Sequence, residues 1–180
     1  MAFRIGETCN GCGLCARRCP TGCITGNKKE LHVIDEASCI DCEVCGSYCA
    51  FDSVYDGAGN PTVFIKPKLR PRAAVDPDLC SGCASCVDIC PFDCLEMTPD
   101  ERSSYFEAAT LVRPKKCVAC QLCVLVCGDK EAIQVRWPDG ELCVSLGDRK
   151  ELASAGRARS TGPETGRAVG TAEAKSPLDS

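Results

Sequence analysis

The sequence predicts an α+β protein of two tandem, similar units with short helices and small antiparallel sheets, followed by a disordered C-terminal tail. Three observations lead to this prediction: one cysteine spacing occurs four times, its four copies alternate in type, and the composition changes after Gly147. The chain has 19 cysteines in 180 residues and only 5% aromatic residues. Its apolar core must therefore be thin, and cysteine-based crosslinks or metal centres must supply stability.

The four cysteine blocks share the spacing C-x2-C-x2-C-x3-C. They begin at Cys9, Cys39, Cys80 and Cys117. The first and third blocks end in proline and carry a fifth cysteine four residues later, whereas the second and fourth end in alanine and glycine. Because the two block types alternate, the pattern indicates that a two-block unit has been duplicated.

The predicted boundaries follow from composition. Proline recurs in the basic segment "KPKLRPRAAVDPD", and proline favours an extended backbone, so this segment is predicted to be a linker. Its alternate cations have two interpretations, a solvated linker or a docking strip for an acidic partner: Lys66, Lys68, Arg70 and Arg72. The last segment lacks aromatic residues and is predicted to be disordered. The predicted organisation is a first unit at residues 1–65, a linker at 66–79, a second unit at 80–147 and a tail at 148–180.

Short β-type runs flank the blocks, and each stretch from the third to the fourth cysteine is predicted to form one or two helical turns. The β-type runs start at Leu31, Thr62, Thr110 and Ala132. A further run from Glu141 is expected to pair with the last of these through the "PDG" turn. The second unit has seven more residues between its blocks than the first. The predicted insertion is "TPDERSSYFEA", interpreted as a polar surface loop.

Several classes of protein are disfavoured. The N-terminus lacks the basic and apolar regions of a secretory signal, and no run approaches the roughly 20 apolar residues of a membrane helix. A cytoplasmic location is therefore predicted, where thiols stay reduced, and the odd cysteine count also argues against a disulfide scaffold. A net charge of −4 does not favour a nucleic-acid partner. Nucleotide-binding and nucleophile motifs are absent, so no substrate site is predicted.

The spacing within each block favours iron and sulfide over zinc. Zinc sites usually use two separated C-x2-C pairs that converge on one ion. Here three thiols fall within seven residues, a loop that can wrap a cubane because its iron atoms are spread apart. The run C-x2-C-x2-C-x3-C-P is the signature of two-cluster proteins whose fourth cysteine ligates the other cluster. All four blocks are complete, so we predict four [4Fe-4S] clusters, with zinc and disulfides as the alternatives.

The blocks resemble those of the bacterial two-[4Fe-4S] ferredoxin family, present twice between about Phe3 and Leu146. The resemblance implies an exchange in which the fourth cysteine of a block binds the cluster of the neighbouring block. A residue four positions further along a helix lies about 5.4 Å along its axis, which makes such an exchange reasonable. The implied ligands are Cys9, Cys12, Cys15 and Cys49 for site 1; Cys39, Cys42, Cys45 and Cys19 for site 2; Cys80, Cys83, Cys86 and Cys127 for site 3; and Cys117, Cys120, Cys123 and Cys90 for site 4.

The same resemblance implies a function in electron transfer. The chain is similar to the small polyferredoxin subunits of anaerobic tungsten- or molybdenum-dependent oxidoreductases, such as aldehyde oxidoreductases. It is expected to be a non-catalytic subunit of a hetero-oligomer, placed between a catalytic subunit and an electron donor or acceptor protein. The alternatives are a free, diffusible polyferredoxin and a cluster carrier or scaffold. The three remaining cysteines, Cys23, Cys94 and Cys143, are predicted to be packing residues.

Overall fold

The computed structural model describes residues 2–100 and 103–149, which form short helices and strands. Each α-helix begins one residue before the third cysteine of a block. The helices are α1 (Leu14–Arg18), α2 (Val44–Tyr48), α3 (Ser85–Asp88) and α4 (Leu122–Cys127). Short 3-10 helices lie at Glu36–Ser38, Gly128–Lys130 and Leu146–Arg149. The predicted helical turns before each fourth cysteine are confirmed.

The strands of the described residues form four two-stranded antiparallel sheets, which pair β1 with β4, β2 with β3, β5 with β8, and β6 with β7. The strands are β1 (Arg4–Ile5), β2 (Ile24–Thr25), β3 (Val33–Ile34), β4 (Val54–Tyr55), β5 (Arg72–Val75), β6 (Leu95–Asp100), β7 (Ser103–Leu111) and β8 (Ile133–Arg136). In β8 the β-branched residues Ile133 and Val135 face the core. Small antiparallel sheets combined with short helices confirm the predicted α+β class.

Two predictions about local structure are wrong, one for a strand and one for a surface loop. The β-type run from Thr62 forms no strand, because its backbone lies across α2 instead, where the Ile65 N–H donates to the Ser47 carbonyl at 3.0 Å. The segment interpreted as a polar loop belongs to the β6–β7 hairpin, in which the Thr98 and Thr110 hydroxyls meet at 2.7 Å. Alternating polar and β-forming residues are compatible with a hairpin whose outer face is solvated.

The predicted linker at residues 66–79 contains a strand. β5 pairs with β8, and Pro71, which precedes β5, is fully buried. The Arg70 guanidinium lies 3.6 Å from the Tyr48 ring centroid, and its Nε donates to the Ile65 carbonyl at 3.0 Å. The four cations therefore do not line one exposed side of the segment, because Arg70 packs inward, and the docking-strip interpretation stays a prediction for the exposed Lys66 and Lys68. The tail prediction falls largely outside the described residues, and the remaining domain boundaries stay a prediction.

Three small apolar clusters form the core. The N-terminal core contains Phe3, Cys23, Ile24, Ile34, Cys45 and Val54. The C-terminal core contains Ala73, Leu95 and Ile133. The central core contains Val44, Tyr48, Ile65, Val118, Ala119, Val135, Trp137, Cys143 and Leu146, and so joins the first two blocks to the last two. Cysteine side chains pack around all three clusters, so the apolar interior is thin, as predicted. Within the described residues no helix combines the length and apolar character needed to cross a membrane.

Candidate metal centres

Each predicted set of four thiols surrounds one cavity. The site 1 cavity is lined by Cys9, Cys12, Cys15 and Cys49. The site 2 cavity is lined by Cys39, Cys42, Cys45 and Cys19, and also by Cys23. The site 3 cavity is lined by Cys80, Cys83, Cys86 and Cys127. The site 4 cavity is lined by Cys117, Cys120, Cys123 and Cys90, and also by Cys94. Each implied ligand set thus lines one cavity, and the fifth cysteines of the first and third blocks line the cavities of sites 2 and 4 as well. The ligand assignment itself stays a prediction.

The four cysteine loops repeat one unusual backbone conformation. In every loop the residue before the second cysteine and the residue after it have positive φ, between +52° and +70°. These residues are Gly11, Gly13, Asp41, Glu43, Gly82, Ala84, Ala119 and Gln121. Alternation of left-handed with ordinary residues turns successive backbone N–H groups inward and forms an anion-binding nest, a feature of many iron–sulfur sites.

Five of these eight residues carry side chains, so the conformation costs free energy. A left-handed L-residue other than glycine costs roughly 1–2 kcal/mol. Strain of this kind persists where the surrounding structure or a ligand requires it, and it clusters at functional sites. Asp41, Glu43, Ala84, Ala119 and Gln121 therefore indicate that the loop shape is needed for a bound anionic group.

Backbone donors and burial set the electrostatics of the thiols. The Gly11 N–H donates to Cys9 Sγ at 3.4 Å, and the Cys94 N–H donates to Cys90 Sγ at the same distance. Burial raises the pKa of Cys15 to about 11 and the pKa of Cys123 to about 12. Without a positive partner these thiols stay protonated at neutral pH. A cationic metal centre would offset the cost of holding them as thiolates.

The fifth cysteine of the first block differs from its neighbour Cys19. The two sulfur atoms lie 3.4 Å apart, and Cys23 is buried. Burial opposes ionisation of Cys19, but hydrogen bonds from Thr21 and Cys23 outweigh it and lower the pKa of Cys19. Burial raises the pKa of Cys23 to about 11. Cys23 therefore suits the role of a protonated neighbour that donates to a Cys19 thiolate.

The donor geometry fits a polynuclear centre better than a single ion. Across residues 2–100 and 103–149, no three His, Cys, Asp or Glu side chains converge closely enough to bind one metal ion. The cysteines are all present as free thiols. Four thiols are spread around each cavity, and the backbone N–H groups point inward. This arrangement suits a cubane, because each thiol can bind a different iron atom at its own corner. The donor set therefore fits a [4Fe-4S] cluster at each site.

Gly11→Ala should weaken site 1 far more than Gly22→Ala. Both glycines have a φ close to +68°, so each alanine introduces the strain of a left-handed residue, roughly 1 kcal/mol. A Cβ on Gly11 would also lie 2.3 Å from the Glu30 backbone nitrogen, whereas a Cβ on Gly22 meets nothing within 4 Å. Overpacking adds about 1–3 kcal/mol. Iron release to a chelator under anaerobic conditions measures the difference, and equal release from both variants would contradict this account of the loop.

Sequence reasoning missed a segment that joins two of the cysteine loops. The Gln121 side-chain amide donates to the Val144 carbonyl at 2.7 Å. The Glu43 carboxylate accepts hydrogen bonds from the Ser145 hydroxyl and the Gly147 N–H, each at 2.7 Å. We call residues 143–147 the strap. Its contact with Glu43 had no local sequence signal, because the Ser145 hydroxyl and the Glu43 carboxylate are 102 positions apart along the chain.

Comparison with known proteins gives two family matches. The 4Fe-4S dicluster domain matches residues 71–130, and the 4Fe-4S binding domain matches residues 4–25. A solved complex from Methanospirillum hungatei, of formate dehydrogenase, heterodisulfide reductase and formylmethanofuran dehydrogenase, covers 84% of this chain and 54% of its own matching chain. Its TM-score of 0.38 and identity of 19% are too low to support an argument.

Three curated relatives show the similarity in sequence. Ferredoxin-1 of Chlorobaculum tepidum is 36% identical over 63 residues, which is 32% of this chain and all of that protein. Polyferredoxin protein MvhB of Methanothermobacter marburgensis is 34% identical, over 51% of this chain and 21% of that protein. One component of the anaerobic dimethyl sulfoxide reductase of Haemophilus influenzae is 30% identical, over 62% of this chain and 54% of that protein. This chain thus spans about a fifth of the length of the polyferredoxin and about half of the length of the reductase component. With the whole of a ferredoxin matched and the thiols grouped around cavities, the chain belongs to the family of [4Fe-4S] ferredoxins.

Proposed function

We propose that this chain carries four [4Fe-4S] clusters in two tandem two-cluster units and relays electrons between a catalytic oxidoreductase subunit and an acceptor. The observation that supports the proposal is that each implied set of four thiols lines one cavity, with Cys23 and Cys94 as additional lining residues of the site 2 and site 4 cavities. A single two-cluster unit suffices for a diffusing carrier. Two units in one chain make a longer conductor with two ends, which suits a subunit placed between two partners.

The chain's residues would hold and tune the centres. When bound, each cluster supplies reversible one-electron chemistry. The thiolates of sites 1–4 hold the irons, and the inward N–H groups of the left-handed loops stabilise the sulfur charge. The three apolar cores exclude water from the inner thiols, as the burial of Cys45 and Val44 shows for site 2. Burial and hydrogen bonds to sulfur are the factors that set cluster potentials.

A relay role without catalysis follows from the ligand count. Four thiolates at each site leave no open iron position for a substrate. The proposed partner is the catalytic subunit of an anaerobic oxidoreductase of the tungsten- or molybdenum-dependent kind, and the proposed location is the cytoplasm. One relative is named as a component of an anaerobic reductase and another as a polyferredoxin, and both names support this choice.

Native purification without oxygen tests the proposed partner. The relay subunit should co-purify with a larger oxidoreductase, and the complex should have a mass well above the 19.1 kDa of this chain. A purely monomeric, redox-active chain would favour the free polyferredoxin instead. Rapid transfer of clusters to an apo-protein, with loss of iron from this chain, would favour the carrier or scaffold.

A further inference from the structure

The second cysteines of the four blocks have two different surroundings. Cys12 and Cys83 are exposed. Cys42 and Cys120 are half-buried, and both pack against the central core. The sequence spacing is identical in all four blocks, so this difference arises from the way the blocks are packed together. Sites 1 and 3 therefore face solvent at this cysteine, whereas sites 2 and 4 face the interior.

The thiols that pack against the three cores belong to different pairs of sites. The thiols in or against the N-terminal core, apart from the buried Cys23, belong to sites 1 and 2 only: Cys15, Cys19, Cys39, Cys45 and Cys49. The thiols against the C-terminal core belong to sites 3 and 4 only: Cys86, Cys117, Cys123 and Cys127. The predicted ligands against the central core are Cys42 of site 2 and Cys120 of site 4. The two halves thus meet between sites 2 and 4.

The strap holds the junction together. Glu43 and Gln121 occupy equivalent positions, each directly after the second cysteine of its block. Both bind the strap, Gln121 through the Val144 carbonyl and Glu43 through Ser145 and Gly147. Cys143 and Leu146 anchor the strap in the central core, with 3% exposure each. The loops of sites 2 and 4 are therefore fastened to one segment, which fixes their separation.

We propose that the four sites form one line in the order 1, 2, 4, 3, with the crossing between halves at Cys42 and Cys120 and the two ends at the Cys12 and Cys83 loops. This rests on the proposed function. One electron leaves site 2 and arrives at site 4, or the reverse, with no bond made or broken and no proton moved. A reduced protein partner supplies the electron at one end, and an oxidised protein partner takes it at the other.

The test places paramagnetic probes at chosen pairs of sites in the full chain. Removing one thiolate leaves an iron that is easily lost, which gives a [3Fe-4S] centre; this is paramagnetic when oxidised, whereas intact oxidised [4Fe-4S] clusters are diamagnetic. Cys39→Ala with Cys117→Ala marks sites 2 and 4. Cys9→Ala with Cys80→Ala marks sites 1 and 3, and Cys39→Ala with Cys80→Ala marks sites 2 and 3. These cysteines belong to their own blocks, so the marking does not depend on the ligand exchange.

The electron paramagnetic resonance spectrum of the pair at sites 2 and 4 should be split or broadened by dipolar coupling. The other two pairs should give the sum of their single-variant spectra. If a double variant loses both marked clusters entirely, the two remaining clusters are compared in the reduced protein, where they are paramagnetic. These two clusters should be coupled only when they occupy sites 2 and 4. Coupling at sites 2 and 3 and none at sites 2 and 4 would overturn the order. A wild-type chain with fewer than four clusters would instead overturn the proposed function.

Discussion

Cys19→Ala is expected to remove one iron from site 2 and to leave site 1 intact, although Cys19 belongs to the first block. Cys15 lies in α1 and lines the site 1 cavity, while Cys19 directly follows α1 and lines the site 2 cavity. The helix therefore connects the linings of two cavities. The expected product is a [3Fe-4S] signal at site 2, because an iron with three ligands is easily lost.

The site of damage is assigned by comparison with two reference variants. The signal of Cys19→Ala should match that of Cys39→Ala, which marks site 2, in line shape and midpoint potential. It should differ from that of Cys9→Ala, which marks site 1. A match to Cys9→Ala would mean that each block binds its own cluster.

Cys23→Ala is the matched control for this experiment. Its sulfur lies 3.4 Å from that of Cys19, and its side chain is more buried. As a protonated packing residue it should leave the iron content unchanged, although loss of its hydrogen bond should shift the site 2 potential. A missing iron in Cys23→Ala would show that Cys23 is itself a ligand.

The metal-free chain is expected to lack a cooperative fold. The N-terminal core has six buried apolar residues, the C-terminal core three and the central core nine, too few to offset the conformational entropy of the chain. Metal binding would then supply folding free energy directly. Removing iron and sulfide anaerobically, under reducing conditions, should abolish both the amide dispersion in nuclear magnetic resonance spectra and the unfolding transition. A cooperative transition in the metal-free chain would contradict this coupling.

The pH dependence of the metal-free chain has a definite sign. Burial raises the pKa of Cys42 from 9.0 to about 12 and that of Cys15 to about 11. Any stability that these protonated, buried thiols contribute is therefore present below about pH 9 and is lost as the pH rises towards 11 or 12. Alkaline pH should not restore the metal-free fold. Cluster binding, in contrast, releases protons from the thiols. The affinity of the chain for its clusters should therefore increase between about pH 6 and about pH 8.

The cysteine pattern was sufficient to predict the short helix in each block, because the block spacing is local. The assignment of each thiol to a site came from the resemblance to two-cluster ferredoxins and stays a prediction. The left-handed residues at Gly11 and Gly82 were within reach of sequence reasoning, since glycine marks such positions. The left-handed conformation at Glu43 and Gln121 could not be predicted from the sequence, because residues of these types rarely adopt it and only the folded loop requires it. Strand β5 was missed because the prolines around it suggested a linker, while its pairing with β8 joins residues about sixty positions apart.

The junction of the two halves lay beyond any local pattern. Glu43 and Gly147 are 104 positions apart, and nothing in either neighbourhood indicates the contact. The central core likewise contains both Tyr48 and Trp137, which lie in different halves of the chain. Contacts of this kind depend on how two similar units pack, and a repeat in sequence predicts the units but not their packing.

Iron and sulfide analysis of the anaerobically purified chain tests the four-cluster relay most directly. Four cubanes require about sixteen iron and about sixteen sulfide per chain, and reductive titration of the same sample should take up about four electrons. A content of about eight iron and eight sulfide would mean that only one pair of blocks binds clusters, so no line of four could exist. Stoichiometric zinc with little sulfide would contradict the ferredoxin chemistry altogether.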